Sequence, residues 1–459
     1  MRIEKRVLKK LKEIVGKRGY LDSTSDLISY SYDATTDWQS FPDIVLLPEN
    51  KEQISEIMKI AYENEIPVTV RGAGTNVSGG SIPIKGGILL CTTRMNRILE
   101  LDKENLFVRV EAGVVLNDLY EFLKKHDLFF PPDPQSYLAA TVGGCIAENS
   151  GGPYAVKYGV FKHYLLGLTA VLPNGKIIEM GGRTVKNVTG YDLPQLICGS
   201  EGTLAIITDA ILKVLPAPPS RRTIIAIFKD VIGSGNVVSR ILSEGIVPAK
   251  IELIDNWVIR RIEEVDPVGF PLDADSVLLF EVDGVEEAVN IEAEKIADIC
   301  RREKTVIDLR IVKDEEAEKY WNARRKGFSA IYGYSRTVLA EDVTVPPSRL
   351  PELIKKIKEI AKKYELTIVI IGHAGDGNLH PSILTDRSNL EHYKKAKAAV
   401  QEIFSIAVEM GGAISGEHGI GLEKREFLRR ILPKEQTDLL RKIKSVFDPK
   451  GILNPGKIW

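Results

Sequence analysis

Cysteine is scarce in this chain of 459 residues, and its four copies, Cys91, Cys145, Cys198 and Cys300, stand far apart. Such scattering makes neither a disulfide ladder nor the clustered thiolates of an iron–sulfur centre, and it points to a reducing, cytoplasmic setting. Net charge is almost absent: 62 Lys and Arg against 63 Asp and Glu leave −1. Nucleic acid is therefore disfavoured as a partner, because phosphate contacts need a concentrated basic face. No apolar run approaches the roughly 20 residues of a membrane-spanning helix, and no secretory apolar core is evident, so no transmembrane segment is expected. Internal repeats and low-complexity tracts are lacking too. Apolar residues, in contrast, make up 44% of the chain, ample for two or three domains with their own cores.

The first 18 residues are basic, with Ile3, Val7, Leu8, Leu11, Ile14 and Val15 on one helical stripe. Glu4 and Glu13 dilute the opposite face, which favours an amphipathic surface helix over a membrane-surface helix or a targeting segment. From about Ile44 to Val214, short β-rich runs alternate with helices and glycine is dense, as in an α+β or α/β domain. Leu215 to Ser220, with three prolines, reads as a break in both helix and strand and marks a boundary. The expected domains are thus 1–220 and 221–459, the latter divided into 221–400 and a helical segment 401–459. Strand candidates at Thr223 to Phe228, Lys250 to Leu253 and Val277 to Val282, with helices near Glu287 to Lys304 and Pro351 to Tyr364, suit a sheet with helices on one face.

Three of the six histidines lie in two glycine-rich segments, Gly372 to His380 and Ser415 to Gly419. The run Leu366 to Ile371 is strand-like, Asp376-Gly377 is a turn signal, and Leu379 to Leu384 can pair back. His373 and His380 then flank one hairpin loop, facing each other closely enough to reach one ion. Glu417, between Gly416 and Gly419, is the natural carboxylate to complete the set, and His418 can turn towards the same cavity. Two histidines and one carboxylate leave coordination positions free, which is the pattern of a catalytic ion, with Zn²⁺ first and Fe²⁺ or Mn²⁺ as alternatives.

Arg71 to Gly80 follows the strand-like Pro67 to Val70, and successive N–H groups of such a loop form an anion-binding nest. A dinucleotide fingerprint is rejected, since Val77 stands where the third glycine belongs and Gly79-Gly80 open no helix. Ala140 to Gly152 and Gly199 to Thr208 also offer bare backbone to a flat or anionic ligand. Gly143 and Gly144 suggest a helix N-terminus with N–H groups free for a pyrophosphate, or else close helix–sheet packing.

These three segments in this order resemble the flavin-binding domain of the vanillyl-alcohol oxidase and p-cresol methylhydroxylase superfamily. With His373, His380, Glu417 and His418 the resemblance narrows to the branch of D-lactate dehydrogenase, the glycolate oxidase FAD subunit and D-2-hydroxyglutarate dehydrogenase, and extends to the closing Phe447 to Lys457. It implies an α+β fold: a two-subdomain FAD-binding domain of p-cresol methylhydroxylase type, then a ferredoxin-like substrate domain and a helical C-terminal segment. It implies FAD held by Arg71, Gly72, Ala73, Gly74, Thr75, Asn76 and Ser78 at the pyrophosphate. Pro132, Asp133, Ser136, Gly143, Gly144, Asn149, Glu201, Gly202, Ile207 and Asn454 would lie along the rest. Gly74-Thr75-Asn76 has no histidine for covalent attachment, so the FAD is expected to be non-covalent.

The implied activity is oxidation of a small D-2-hydroxy acid, D-lactate or glycolate, to the 2-oxo acid. His418 is the base, Arg324 binds the substrate carboxylate, Asn378 and Ser382 line the same pocket, and hydride passes to flavin N5. Ala340 stands where the 2-hydroxyglutarate branch has a lysine, which favours a monocarboxylate. Electrons would pass to an external acceptor, an iron–sulfur subunit or an electron-transferring flavoprotein. The candidate self-assembly is a homodimer, and any membrane association is expected through a partner. The rivals are a D-2-hydroxyglutarate dehydrogenase, a flavin subunit that only relays electrons, and alkylglycerone-phosphate synthase, whose histidine pattern differs.

Overall fold

The structure, a computed structural model, describes residues 3–35 and 37–459, the side chain of Phe328 apart. The N-terminal stripe forms the helix Lys5–Val15. Val7, Leu11 and Val15 recur every fourth residue on one face and are buried against Ile54, Ile57 and Met58 of the helix Lys51–Glu63. Each such burial contributes about 1.5–3 kcal/mol, so the stripe is committed to the core rather than to a membrane surface.

Two sheets build the first half. One has the strand order Tyr20–Leu21, Ile44–Leu46, Ile88–Cys91, Val68–Arg71, with the last three parallel. The other is antiparallel, in the order Ile98–Asp102, Phe107–Glu111, Ile206–Lys213, Leu165–Val171, Ile177–Gly181. Leu215 to Ser220 is not a complete break: Leu215–Pro216 pairs with Leu128–Phe129, and the next strand already begins at Ser220. Proline is tolerated there because the two-residue ribbon has an edge on which no N–H is required.

The second half is one antiparallel sheet of eight strands, running from Val306–Val312 at one edge to Thr337–Ala340 at the other. Helices cover both of its faces, not one. Ile224, Ala226 and Phe228 pack with the helices Val231–Ser243, Glu286–Arg301 and Leu350–Tyr364. Ile225 and Ile227, pointing the other way, pack with Asn256–Val265 and Asp314–Tyr334. Near-continuous apolar strands such as Ser276–Gly284 are what a sheet buried on two sides requires, so the apolar runs carried the information that the helix count did not. The C-terminal segment is helical at Leu390–Glu409, Arg425–Ile431 and Lys434–Phe447. Its end then returns to the first half, where Leu453 bridges Val68 and is fully buried with Ile452 in the core around Ile44.

Candidate active site

The strands Thr367–His373 and Asn378–Thr385 form the expected hairpin, joined by a short turn at Ala374–Asp376. The histidines are not directly opposite each other, however. His373 pairs with Asn378 and His380 with Ile371, so the two rings are diagonal neighbours on one face, with centroids 5.1 Å apart. Diagonal side chains on one sheet face remain within reach of each other.

Glu417 reaches them from a loop gathered around one buried carboxylate. Asp342 Oδ2 accepts hydrogen bonds from Ser415 Oγ at 2.8 Å and from the N–H groups of Gly416, Glu417 and His418 at 2.8, 2.9 and 2.9 Å. Its other oxygen accepts from Asn378 Nδ2 at 2.6 Å, which ties the loop to the hairpin. Glu417 Oε1 lies 3.3 Å from His373 Nε2 and 3.4 Å from His380 Nε2, and the ligand-type atoms of the three residues all fall within 4.8 Å of one another. Donors at 2.0–2.1 Å from a tetrahedral ion stand roughly 3.3 Å apart, so this set fits a Zn²⁺-sized ion. Behind it, His373 Nδ1 meets Glu252 Oε1 at 2.6 Å, and Arg324 pairs with Glu252 Oε2 at 2.7 Å. A carboxylate on the far nitrogen of a ligating histidine fixes its tautomer and ring orientation.

The buried charges of the cluster compensate one another. Burial lowers His373, but Glu252 and Glu417 outweigh it and hold the imidazole well above its ordinary range. Burial likewise raises Glu417, yet the three imidazoles around it bring it down to about 2. His380 is pushed down to about 3 by burial, and its Nδ1 is sealed without a partner. His418 stacks on His380 with centroids 5.1 Å apart and planes at 18°, and burial keeps it below the usual imidazole value.

Glu417 and His418 also line a cavity of about 410 Å³ whose opposite wall is the first half's glycine loops. Gly72, Ala73, Gly74, Thr75, Asn76, Ser136, Gly143, Gly144, Glu201, Gly202, Ile207 and Asn454 all lie on it. Among the described residues, the backbone N–H groups of 72–77 make no hydrogen bond within the chain, leaving a row of donors suited to phosphates. The second glycine segment works differently from the N-terminal anion site considered above. The N–H groups of Val142, Gly143 and Gly144 are already bound to Val114 O, Ala112 O and Thr141 Oγ1. Gly143 serves packing instead, because a Cβ there would stand 2.6 Å from the Ala112 Cβ.

Five expected flavin contacts lie off this wall. Arg71 donates to Tyr32 O at 2.6 Å, Ser78 Oγ meets Asn76 Nδ2 at 3.0 Å, and the Pro132 carbonyl accepts from the Tyr120 hydroxyl. Asp133 accepts from Tyr154 N at 3.2 Å, and Asn149 holds a left-handed helix end with its amide oxygen on Lys162 N at 3.0 Å. Asn378 Nδ2 is used by Asp342 and Thr344, and Ser382 is fully buried. Sequence reasoning passed over Glu252, Asp342 and Glu148. The available signal was an acid inside an apolar strand (Glu252 in Lys250–Asp255), which is costly unless it holds a partner.

Residues 217–458 match the model of the FAD linked oxidases, C-terminal domain, and residues 42–181 match the FAD binding domain. The chain is 43% identical to the glycolate oxidase subunit GlcD of Bacillus subtilis over 457 residues, covering 100% of this chain and 97% of that one. It is 38% identical to the D-lactate dehydrogenase of Archaeoglobus fulgidus, over 90% of this chain and 91% of that one. Among solved structures, substrate-bound p-cresol methylhydroxylase shares the fold with a TM-score of 0.80 at 20% identity, covering 99% of this chain and 96% of that one. Alkyldihydroxyacetonephosphate synthase does so with a TM-score of 0.79 at 19% identity, covering 99% and 86%. Among the described residues no helix is long and apolar enough to cross a membrane. The chain belongs to the FAD-linked oxidase family, together with glycolate oxidase subunits and D-lactate dehydrogenases, and is an FAD-dependent oxidoreductase.

Proposed function

We propose that this chain oxidises a small D-2-hydroxy acid, D-lactate or glycolate, to the 2-oxo acid, using non-covalent FAD and one divalent ion. The observation that carries the reading is that Glu417 and His418 border the same cavity as the glycine loop 72–76, so one small molecule can touch both. His373, His380 and Glu417 are the residues that would hold the ion, with Zn²⁺ first among candidates. Gly72 to Asn76, Gly144, Gly202 and Asn454 would hold the flavin. When bound, the ion acidifies the substrate hydroxyl and the flavin accepts hydride from C2.

His418 takes the hydroxyl proton, a role that suits an imidazole kept neutral by burial. Arg324 binds the substrate carboxylate: one of its terminal nitrogens is held by Glu252, while its buried Nε has no partner. Ala340 offers a second carboxylate no cation, which supports a monocarboxylate. Because the cysteines are free and scattered, electrons leave through a separate iron–sulfur subunit or an electron-transferring flavoprotein. The word subunit in the names of the Bacillus subtilis and Escherichia coli relatives supports an assembly of that kind. Functionally the chain divides into a flavin unit, 1–220, and a substrate and metal unit, 221–459, in a cytoplasmic protein.

The test is anaerobic mixing of pure protein with D-lactate, L-lactate, glycolate and D-2-hydroxyglutarate while flavin bleaching is followed. D-Lactate or glycolate is expected to bleach fastest, and a chelator that strips the metal should abolish bleaching. Unchanged bleaching after verified metal removal would overturn the metal role, and fast bleaching by D-2-hydroxyglutarate alone would overturn the substrate class.

A further inference from the structure

Two acidic side chains of the flavin-side wall, Glu148 and Glu201, meet beneath the loop that carries Glu417 and His418. Glu201 spends both carboxylate oxygens on that loop, accepting from Ile420 N and Gly421 N at 2.7 Å each. Glu148, at the end of the helix Val142–Glu148, accepts from Asn76 Nδ2 at 2.8 Å with Oε1, while its Oε2 is sealed from solvent and has no partner. Both carboxyl groups point at one spot: a Cβ built on Gly419 would lie 2.3 Å from Glu148 Oε2 and 3.2 Å from Glu201 Oε1. Among the described residues neither makes an ion pair.

We infer that Glu148 and Glu201 share a single proton, carried by Glu148, and that this neutral–ionised pair positions the 416–421 loop. The weight placed on that loop rests on the function proposed above; the state of the pair does not. Two anions side by side in a poorly solvated wall repel, and the one with two backbone donors is the one that keeps its charge. Burial, followed by the charge of Glu201, raises Glu148 well above the carboxylate range. The other charged or titratable groups facing the pair are Asp33, Lys424, Lys457 and Cys145, with His418 lining the same cavity. Lys424 is drawn to Asp342, 3.7 Å away, and Lys457 donates to Ile82 O at 2.5 Å, so both cations have other commitments. Glu148 is therefore a positioning residue: its proton removes the repulsion that would lift Gly419, and with it the base and a metal ligand, off the cavity wall.

Infrared spectra of the holoenzyme under hydrogen–deuterium exchange test the pair directly. Asp133, Glu341 and Asp376, which burial raises to about 7, contribute to the protonated-carboxyl absorption at neutral pH, so the expected result is one component of that absorption that is lost in Glu148→Gln. Identical protonated-carboxyl absorption in the wild type and in Glu148→Gln overturns the inference whatever the enzyme oxidises. The pH profile of kcat/KM on D-lactate supplies the second readout. Wild type should lose activity at high pH, about ten-fold per pH unit beyond the ionisation of Glu148. Glu148→Ala should lower kcat/KM about ten-fold at neutral pH, the scale of one lost buried hydrogen bond, and Glu148→Gln should recover most of it without the alkaline fall. An unchanged alkaline fall in Glu148→Gln overturns the positioning role. If no 2-hydroxy acid reduces the flavin, the proposed function fails while the infrared result still decides the pair.

Discussion

The two walls of the cavity are built from opposite materials. On the flavin side, contact is made largely by backbone, with Glu148 and Glu201 set among glycine loops, unpaired N–H groups and places where no side chain fits. On the histidine side it is made by charge: Glu417 and His418 line the cavity, backed by His373, His380, Glu252 and Asp342. The first wall is selective by shape and is damaged by a single added methyl group. The second is selective by charge balance and is damaged by removing one member, because a buried partner is then left uncompensated. Substitutions that separate the two failures are the sharpest way to probe the molecule.

The largest separation should come from His373→Ala or His380→Ala. Each removes a proposed ligand, and losing several kcal/mol of Lewis-acid stabilisation would correspond to about a 10³-fold fall in turnover. Flavin content, read from the visible spectrum, should stay stoichiometric while metal content by elemental analysis collapses; joint loss of both would break the comparison. Glu252→Gln should come next. The amide can still accept from His373 but no longer balances Arg324, so metal affinity should fall about 10–100-fold, measured by competition with a chelator. Gly143→Ala should act in the reverse sense. Its Cβ meets the Ala112 Cβ at 2.6 Å and the Ala112 carbonyl at 3.0 Å, an overpacking cost of about 1–3 kcal/mol. Flavin affinity by fluorescence titration should weaken about ten-fold with metal content intact. A variant that sheds metal as readily as flavin would show that the walls are not independent.

The same contrast decides how much of the molecule was legible in its sequence. Continuous β-branched apolar runs and turn residues located the hairpin and the apolar strands, since these signals are local. The histidines and Glu417 were legible because few residue types bind metals and three of them sat in glycine-rich segments. The supporting carboxylates were not, because Glu252 and Asp342 become meaningful only when strands far apart in the chain lie side by side, as where Glu252 pairs with His373. The second glycine segment was ambiguous for a related reason. Of the two readings open there, free helix N–H groups or close packing, long-range contacts from Val114 and Ala112 decide for packing. Helices on both faces of the large sheet were hidden because alternation disappears when each strand is buried on two sides.

Asp133 tests the boundary between the walls, and with the smallest effect. Expected to touch flavin, it lies off the cavity wall, half-buried, accepting from Tyr154 N at 3.2 Å. Burial raises its carboxyl from 3.8 to about 7, against the opposing pull of Lys250 and His373 and with a smaller push from Glu252, so its electrostatic neighbours belong to the second half. A carboxyl whose folded value exceeds its unfolded one binds its proton more tightly when folded. The stability gained is fully present below about 4 and is lost as pH rises through about 7. Water at this half-buried site reduces the effect to the order of 1–2 kcal/mol. Asp133→Asn keeps the acceptor for Tyr154 and cannot ionise, so its thermal unfolding should match wild type in acid and exceed it progressively towards pH 8. Parallel curves across that range would mean that the carboxyl reaches water freely, and that the charge-built wall ends short of Asp133.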